Sequence, residues 1–292
     1  MSEKLRETGI SKVIGLPPEE EKAVFEYYNI PIEFKEGDKT EEEKEVVSQI
    51  LNLMPDFIRR YGGVPVDIKQ EQIYFLENSD SLKKQMTGGY ESEGFYSQAK
   101  QMAVIFKSKG ILDDSHKLVH ELLHFNSFQS LEGKEKNKMK QRRFGFTIKN
   151  KENDFLFENI DEAVIEKLAV RFDRESFAKI PQISKLTEER NNMIASLVEQ
   201  YPESKEFIEN ASSIALNGED FEVASSRHEE IEILDEIIKE IYMGNRENFE
   251  SEDDIFNLFA KAVMSGELLP VARLIEKTYG KGSFRKLGQE TK

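Results

Sequence analysis

The chain has 292 residues, a formal net charge of −15 and no cysteine. That length buries a sizeable core in one large domain or two modest ones, and the acidity argues against nucleic acid or an anionic membrane surface as the main partner, since both need a basic face. Without cysteine there are no disulfides and no thiolate–zinc sites, so any metal must be held by histidine and carboxylate.

Taken in chain order, Met1-Ser-Glu-Lys-Leu-Arg-Glu-Thr-Gly-Ile10 has no apolar signal-peptide core. No apolar run anywhere approaches the roughly 18–20 residues of a membrane span. The expectation is a soluble cytoplasmic protein with no membrane partner. Pro17-Pro18-Glu-Glu-Glu-Lys-Ala-Val-Phe25 predicts a helix with proline in its first turn. Thr40 to Met54 predicts a second, with Val46, Ile50, Leu51 and Met54 as its apolar stripe, and Gly62-Gly63 closes that region. A strand is expected within Val66 to Leu76, a turn at Gly88-Gly89, and another strand over Gln101 to Phe106. In the latter, Met102, Val104 and Phe106 share one face. Gly110 breaks it, and Asp113-Asp114-Ser115 reads as the cap of the following helix.

That helix carries Lys117-Leu-Val-His-Glu-Leu-Leu-His-Phe125. Its apolar residues Leu118, Val119, Leu122, Leu123 and Phe125 face away from His120, Glu121 and His124. Arg142 to Ile148 and Asp154 to Phe157 read as a short hairpin around Lys149 to Asn153. Asn159 to Phe172 is a strong amphipathic helix. Everything past Pro181 reads as helical: Ser184 to Gln200, Glu203 to Leu216, Phe221 to Met243, and a final pair over Asp253 to Lys277. This divides the chain into a helical N-terminal region (1–62), a mixed core (63–180) and a helical C-terminal subdomain (181–292).

His120-Glu121-Leu-Leu-His124 is the HExxH pattern of zinc hydrolases. Two histidines four apart lie one above the other on one helical face, so both imidazoles can reach one Zn²⁺ at about 2.0–2.1 Å. The glutamate between them can take a proton from a water on the metal. The chain has 4 histidines, and this pentapeptide uses two of them. A catalytic zinc needs a third protein ligand. The best candidate is Glu162, in Asp161-Glu162-Ala163-Val164-Ile165-Glu166; the nearest later histidine is His228. Glu162 and Glu166 share a helical face, so one can bind the metal while the other accepts a hydrogen bond from a ligand's second imidazole nitrogen. His116, one turn before His120, reads as a surface residue at a helix start.

These motifs resemble the gluzincins, the thermolysin-like clan of zinc metallopeptidases, over roughly residues 95–175. The resemblance implies an α+β protein: a zincin-like catalytic domain with a small mixed sheet and the HExxH helix, followed by an all-helical half. It places the third ligand on Glu162 and the acid that steadies a histidine on Glu166. Gln101 to Phe106 resembles the edge strand that such enzymes lay against an extended substrate. Related enzymes hydrogen-bond the oxyanion through a downstream side chain, which falls on His228, with Arg227, Tyr242 and Tyr279 as rivals. Alanine at 163 replaces the family's glycine, and the gap before Glu162 is longer than in compact members. The expected function is zinc-dependent hydrolysis of a peptide or protein substrate, with Glu121 as general base. The alternatives are an inactive zincin-like protein that binds zinc or peptide, and a helical interaction protein in which HExxH is coincidental. In the peptidase reading the helical half is expected to form the second wall of the cleft, near Arg227 and His228.

Overall fold

Thr40 opens the first long helix in a computed structural model of the chain, which describes residues 5–28, 39–80, 83–84, 93–108, 110–135, 137–209, 211, 213–217, 220–224 and 227–292. The turn expected at Gly88-Gly89 lies outside these residues. After β1 (Lys12–Ile14) and α1 (Pro18–Tyr28), α2 spans Glu41–Arg60. Its start is a capping box: Thr40 Oγ1 accepts from the Glu43 amide at 3.1 Å, and the Glu43 carboxylate accepts from the Thr40 amide at 2.7 Å. Glutamates in the first turn and Arg59 and Arg60 in the last complement the helix dipole. The buried face comprises Val46, Val47, Ile50, Met54, Phe57 and Ile58.

Next come β2 (Ile73–Leu76), β3 (Gly94–Ser97) and β4 (Met102–Phe106), which form a sheet in the order β2-β4-β3. β4 pairs in parallel with β2 and antiparallel with β3. It is therefore the central strand, flanked by β2 and β3 among the described residues, which corrects the edge-strand reading of Gln101 to Phe106. The reason is visible in composition. Met-Ala-Val-Ile-Phe is apolar throughout and is buried on both faces. Met102, Val104 and Phe106 do share one face, with Tyr74 and Leu76. Ile105 turns the other way, into the main core with Ile73 and Phe75.

α3 (Ile111–Asn126) packs across β4 and β3. Its cap is Gly110, so Asp113 and Asp114 sit inside the first turn rather than before it. Asp114 still joins strand to helix by accepting from the Ser108 amide at 2.7 Å. Beyond it, β5 (Gln129–Glu132), β6 (Lys140–Phe144), β7 (Thr147–Lys149) and β8 (Phe155–Leu156) make a second sheet, ordered β1-β5-β6-β7-β8. The single hairpin expected here is two. β6 and β7 reverse around Gly145, at φ 54°, and β7 and β8 around Asn150–Asp154. Only glycine adopts that φ without cost, and no Cβ fits there against the Asp161 carboxylate.

α4 (Glu158–Ser176) lies against α3, and α5 (Ser184–Gln200) and the short α6 (Lys205–Glu209) follow. The next segment corrects the all-helical expectation. β9 (Ser213–Asn217) and β10 (Asp220–Ala224) pair antiparallel, with Asn217 opposite Asp220. Their sequences alternate on either side of Gly218-Glu219, and glycine opening a two-residue connection is a hairpin signal. The chain then closes with α7 (His228–Gly244), α8 (Glu252–Ser265), α9 (Leu268–Tyr279) and α10 (Ser283–Glu290). α7 and α8 pack on α4.

One apolar cluster joins these parts. It runs from Ile50 and Ile58 of α2, through Leu118 and Leu122 of α3 and Val164 and Leu168 of α4, to Leu234, Phe259 and Ile275 of the last helices. Arg143 of β6 ties the second sheet to α8 by donating to the Gly266 and Ala262 carbonyls while its guanidinium lies over Phe128. Among the described residues no helix is long and apolar enough to cross a membrane.

Candidate metal centre

Three histidines line one face of α3, at positions 116, 120 and 124, spaced one turn apart. The facing side of α4 carries Glu162, Glu166 and Asp173. His124 and His120 meet Glu162, His120 and His116 meet Glu166, and His116 meets Asp173. The two helices are thus antiparallel here. The back of α3 is anchored by Leu118, Val119, Leu122, Leu123 and Phe125, all fully buried. The alternation of apolar and ligand-bearing faces is what aims the histidines at α4.

His120 Nε2 lies 3.4 Å from Glu162 Oε2, and His124 Nε2 lies 3.4 Å from Glu162 Oε1. One ligand atom from each of the three residues falls within 4.8 Å of the others. Bonds of about 2.0–2.1 Å in a tetrahedron put neighbouring ligand atoms about 3.3 Å apart. The three residues are therefore close enough together to hold one metal ion. His120 Nδ1 is 2.8 Å from Glu166 Oε2, which makes Nδ1 the donor and leaves Nε2 toward Glu162. His124 is oriented differently. Its Nδ1 is buried without a hydrogen bond, 4.0 Å from Asp161 Oδ2. Its ring instead stacks on Phe144 at 5.2 Å, and Phe144 stacks on Tyr96 at 5.9 Å.

Glu162 Oε2 is also buried with no hydrogen bond of good geometry, although Arg227 Nη2 stands 3.0 Å away. A buried carboxylate oxygen facing imidazole nitrogens is the kind of acceptor a cation satisfies. Electrostatics agree. Burial disfavours the Glu162 charge, but His124 and His120 outweigh it and hold this carboxyl well below the usual range. Burial likewise opposes a charged His120, yet the nearby carboxylates of Glu162 and Glu166 win and raise it to about 10. Burial pushes Asp161 up to about 7, against the pull of His124.

Glu121 points into the same cleft, and burial pushes its carboxyl up. The backbone of β3 lies against it: a Cβ on Gly94 would stand 3.2 Å from Glu121 Oε1 and 2.9 Å from the Val104 carbonyl. The cleft, about 190 Å³, is bounded by Gly94, Phe95 and Tyr96 of β3, by Phe144, by Arg227, and by Glu121 with the three candidate ligands. A larger groove of about 550 Å³ between α2 and residues 65–71 shares none of these residues. Size does not locate the chemistry here; the convergence of titratable groups does.

The remaining expectations are redistributed. His228 does not line the cleft. Its Nε2 is 3.2 Å from Glu232, its ring packs edge-on against Phe207, and it is 43% exposed. Tyr242 donates to the Glu250 carbonyl at 3.2 Å, and Tyr279 is exposed; neither borders the cleft. Arg227 takes that place. It caps α7 and faces α4, whereas His228 begins the helix about 100° further round. His116 is not a surface residue: it is 4% exposed, with Nδ1 2.7 Å from Asp173 and Nε2 3.1 Å from Glu166. Glu166 and Asp173 lie two turns apart on α4, on the face turned toward the three histidines, but only the packing of α4 on α3 brings them to His116. No family model, curated protein or solved structure matches the chain.

Proposed function

We propose that this chain is a zinc-dependent peptidase of gluzincin type, with residues 63–180 as a zincin-like core. The observation that carries the reading is the approach of His120 Nε2 and His124 Nε2 to the two oxygens of Glu162, with Glu121 in the same cleft. The donors are two imidazoles and one carboxylate with no thiolate, a set that suits Zn²⁺ with a fourth position open. When bound, the metal supplies Lewis acidity toward a carbonyl and lowers the pKa of water toward about 7.

The protein's own residues do the rest. Glu121 takes a proton from the attacking water at its carboxylate and passes it to the leaving amine. Burial, which raises its proton affinity, moves it in the direction a general base needs. Glu166 holds the His120 tautomer through Nδ1. Arg227 is the cationic donor nearest Glu162 and serves the developing oxyanion, the role first expected of His228. β3 lies beside Glu121 at the cleft, where Phe95, Tyr96 and Phe144 offer an extended substrate an apolar wall.

Glu121 distinguishes this reading from a binding protein on the same scaffold, because holding a metal requires no base beside it. The test combines metal analysis with hydrolysis of a peptide library. Purified protein should carry about one zinc per chain, removable by chelators and restored by Zn²⁺. Reconstituted protein that binds zinc and cleaves no member of the library would leave the binding reading in its place.

A further inference from the structure

His116 is used by no step above, yet it is among the most completely engaged side chains in the molecule. Both ring nitrogens meet carboxylates, Asp173 at 2.7 Å and Glu166 at 3.1 Å, and the side chain is almost wholly buried. Ionised carboxylates only accept hydrogen bonds, so satisfying both requires both ring nitrogens to donate. A histidine in that state has no lone pair for a metal, which separates His116 from His120 and His124 despite their common face.

The contacts form a chain. Glu162 meets His120, His120 Nδ1 meets Glu166 Oε2, Glu166 Oε1 meets His116 Nε2, and His116 Nδ1 meets Asp173 Oδ2. Arg190 of α5 stands 3.5 Å from that same Asp173 oxygen. Glu166 is thus held at both oxygens, once by a candidate ligand and once by His116. Its side chain is 1% exposed, so no solvent replaces a lost partner. Without His116 the Glu166 carboxylate would keep one buried oxygen unpaired and would be free to rotate away from His120.

We propose that His116 is a positioning residue for the metal centre: it fixes Glu166 from behind so that Glu166 holds His120 with Nε2 toward Glu162. This rests on the metal-binding reading above. The binding motif is then longer than HExxH by one turn, and its buried end is secured by Asp173 and Arg190 of a different helix.

The experiment is a double-mutant cycle on the full chain, with Zn²⁺ affinity measured by competition against a chromophoric chelator. His116→Gln should weaken zinc about 10–100-fold, the range typical of groups that orient a ligand. Glu166→Gln should do the same. In a Glu166→Gln background, His116→Gln should cost less than about threefold more, because its effect passes through Glu166. A purely structural role would give losses that multiply. Should His116→Gln fail to fold, Asp173→Asn perturbs the same chain from its far end. It should weaken zinc in the wild-type background and not in Glu166→Gln. Unchanged affinity in His116→Gln, or independent losses in the cycle, overturns this inference alone. Wild-type protein that takes up no zinc overturns the metal reading, and this inference with it.

Discussion

At the scale of single residues, the centre makes distinct demands on neighbouring acids. Glu121→Gln keeps the shape of the side chain and removes the base. Zinc content and fold should stay at wild-type levels, while hydrolysis should fall by at least about 100-fold. A variant that turns over at the wild-type rate would take the base role from Glu121. Glu162→Ala removes a ligand and should abolish tight zinc binding; Glu166→Ala should cost about 10–100-fold. Affinity for zinc should also depend on pH. In metal-free protein His120 is raised to about 10, so it is protonated at neutral pH and Zn²⁺ must displace that proton from Nε2. Affinity should therefore fall about tenfold for each unit of pH lowered between 9 and 7. Calorimetry in buffers of different ionisation enthalpy should count about one proton released per zinc. The same shift stabilises the metal-free fold fully below about pH 6.5, and that contribution is lost as pH rises toward 10. That His120 and His124 share one face is legible in sequence, because helical spacing alone stacks one over the other. The setting of His116 is not, since its partners come from 50 and 57 residues further on, and a histidine near a helix start looks the same whether it is buried or solvated.

At the scale of elements, the centre depends on how α3 and α4 are brought face to face. The connection between them is the β5–β8 meander, and its tightest point is Gly145. Gly145→Ala adds a Cβ at positive φ and directly against Asp161. It should destabilise the fold by more than about 1 kcal/mol and shift Asp161 under His124. Urea denaturation and zinc affinity should both register the change; a variant equal to wild type in both would show that the meander does not set the helix pair. Helices and their caps were mostly readable here. Thr40 with Glu43 and the apolar stripe of α2 are local signals, and local signals survive folding. The strands were read less well. Whether Gln101 to Phe106 is central or at an edge depends on β3, and β3 has no strong pattern of its own. The β9–β10 hairpin was passed over because the apolar residues around Phe221 also fit a helical period, and periodicity alone does not arbitrate short apolar runs.

On the scale of the whole molecule, the core does not respect the boundaries drawn from sequence near residues 62 and 180. The apolar cluster crosses both, and Arg227 enters the cleft from beyond the second. Residues 1–180 expressed alone would expose the face of α4 that α7 and α8 cover. That fragment should be poorly soluble and should hydrolyse nothing, as sedimentation and the peptide assay would report. A soluble, fully active fragment would refute a cleft with two walls. Among the described residues α7 packs chiefly on α4, and Arg227, which caps it, is the residue of the C-terminal part that lines the cleft.

The salt bridge from Arg227 to Glu162 gives the ribosome's order of synthesis a consequence. All three candidate ligands precede α7 in the chain, while Arg227, the partner of Glu162, and the helices that cover α4 come later. A nascent chain therefore displays His120, His124 and Glu162 on a helix pair with one side open. The site should therefore be complete only once α7 has been made and packed on α4. In refolding experiments, tight Zn²⁺ capture should lag the pairing of α3 with α4 and follow the docking of α7 on α4. The candidate metal site would then stay incomplete until the chain beyond α4 is made, a temporal control set by chain order alone.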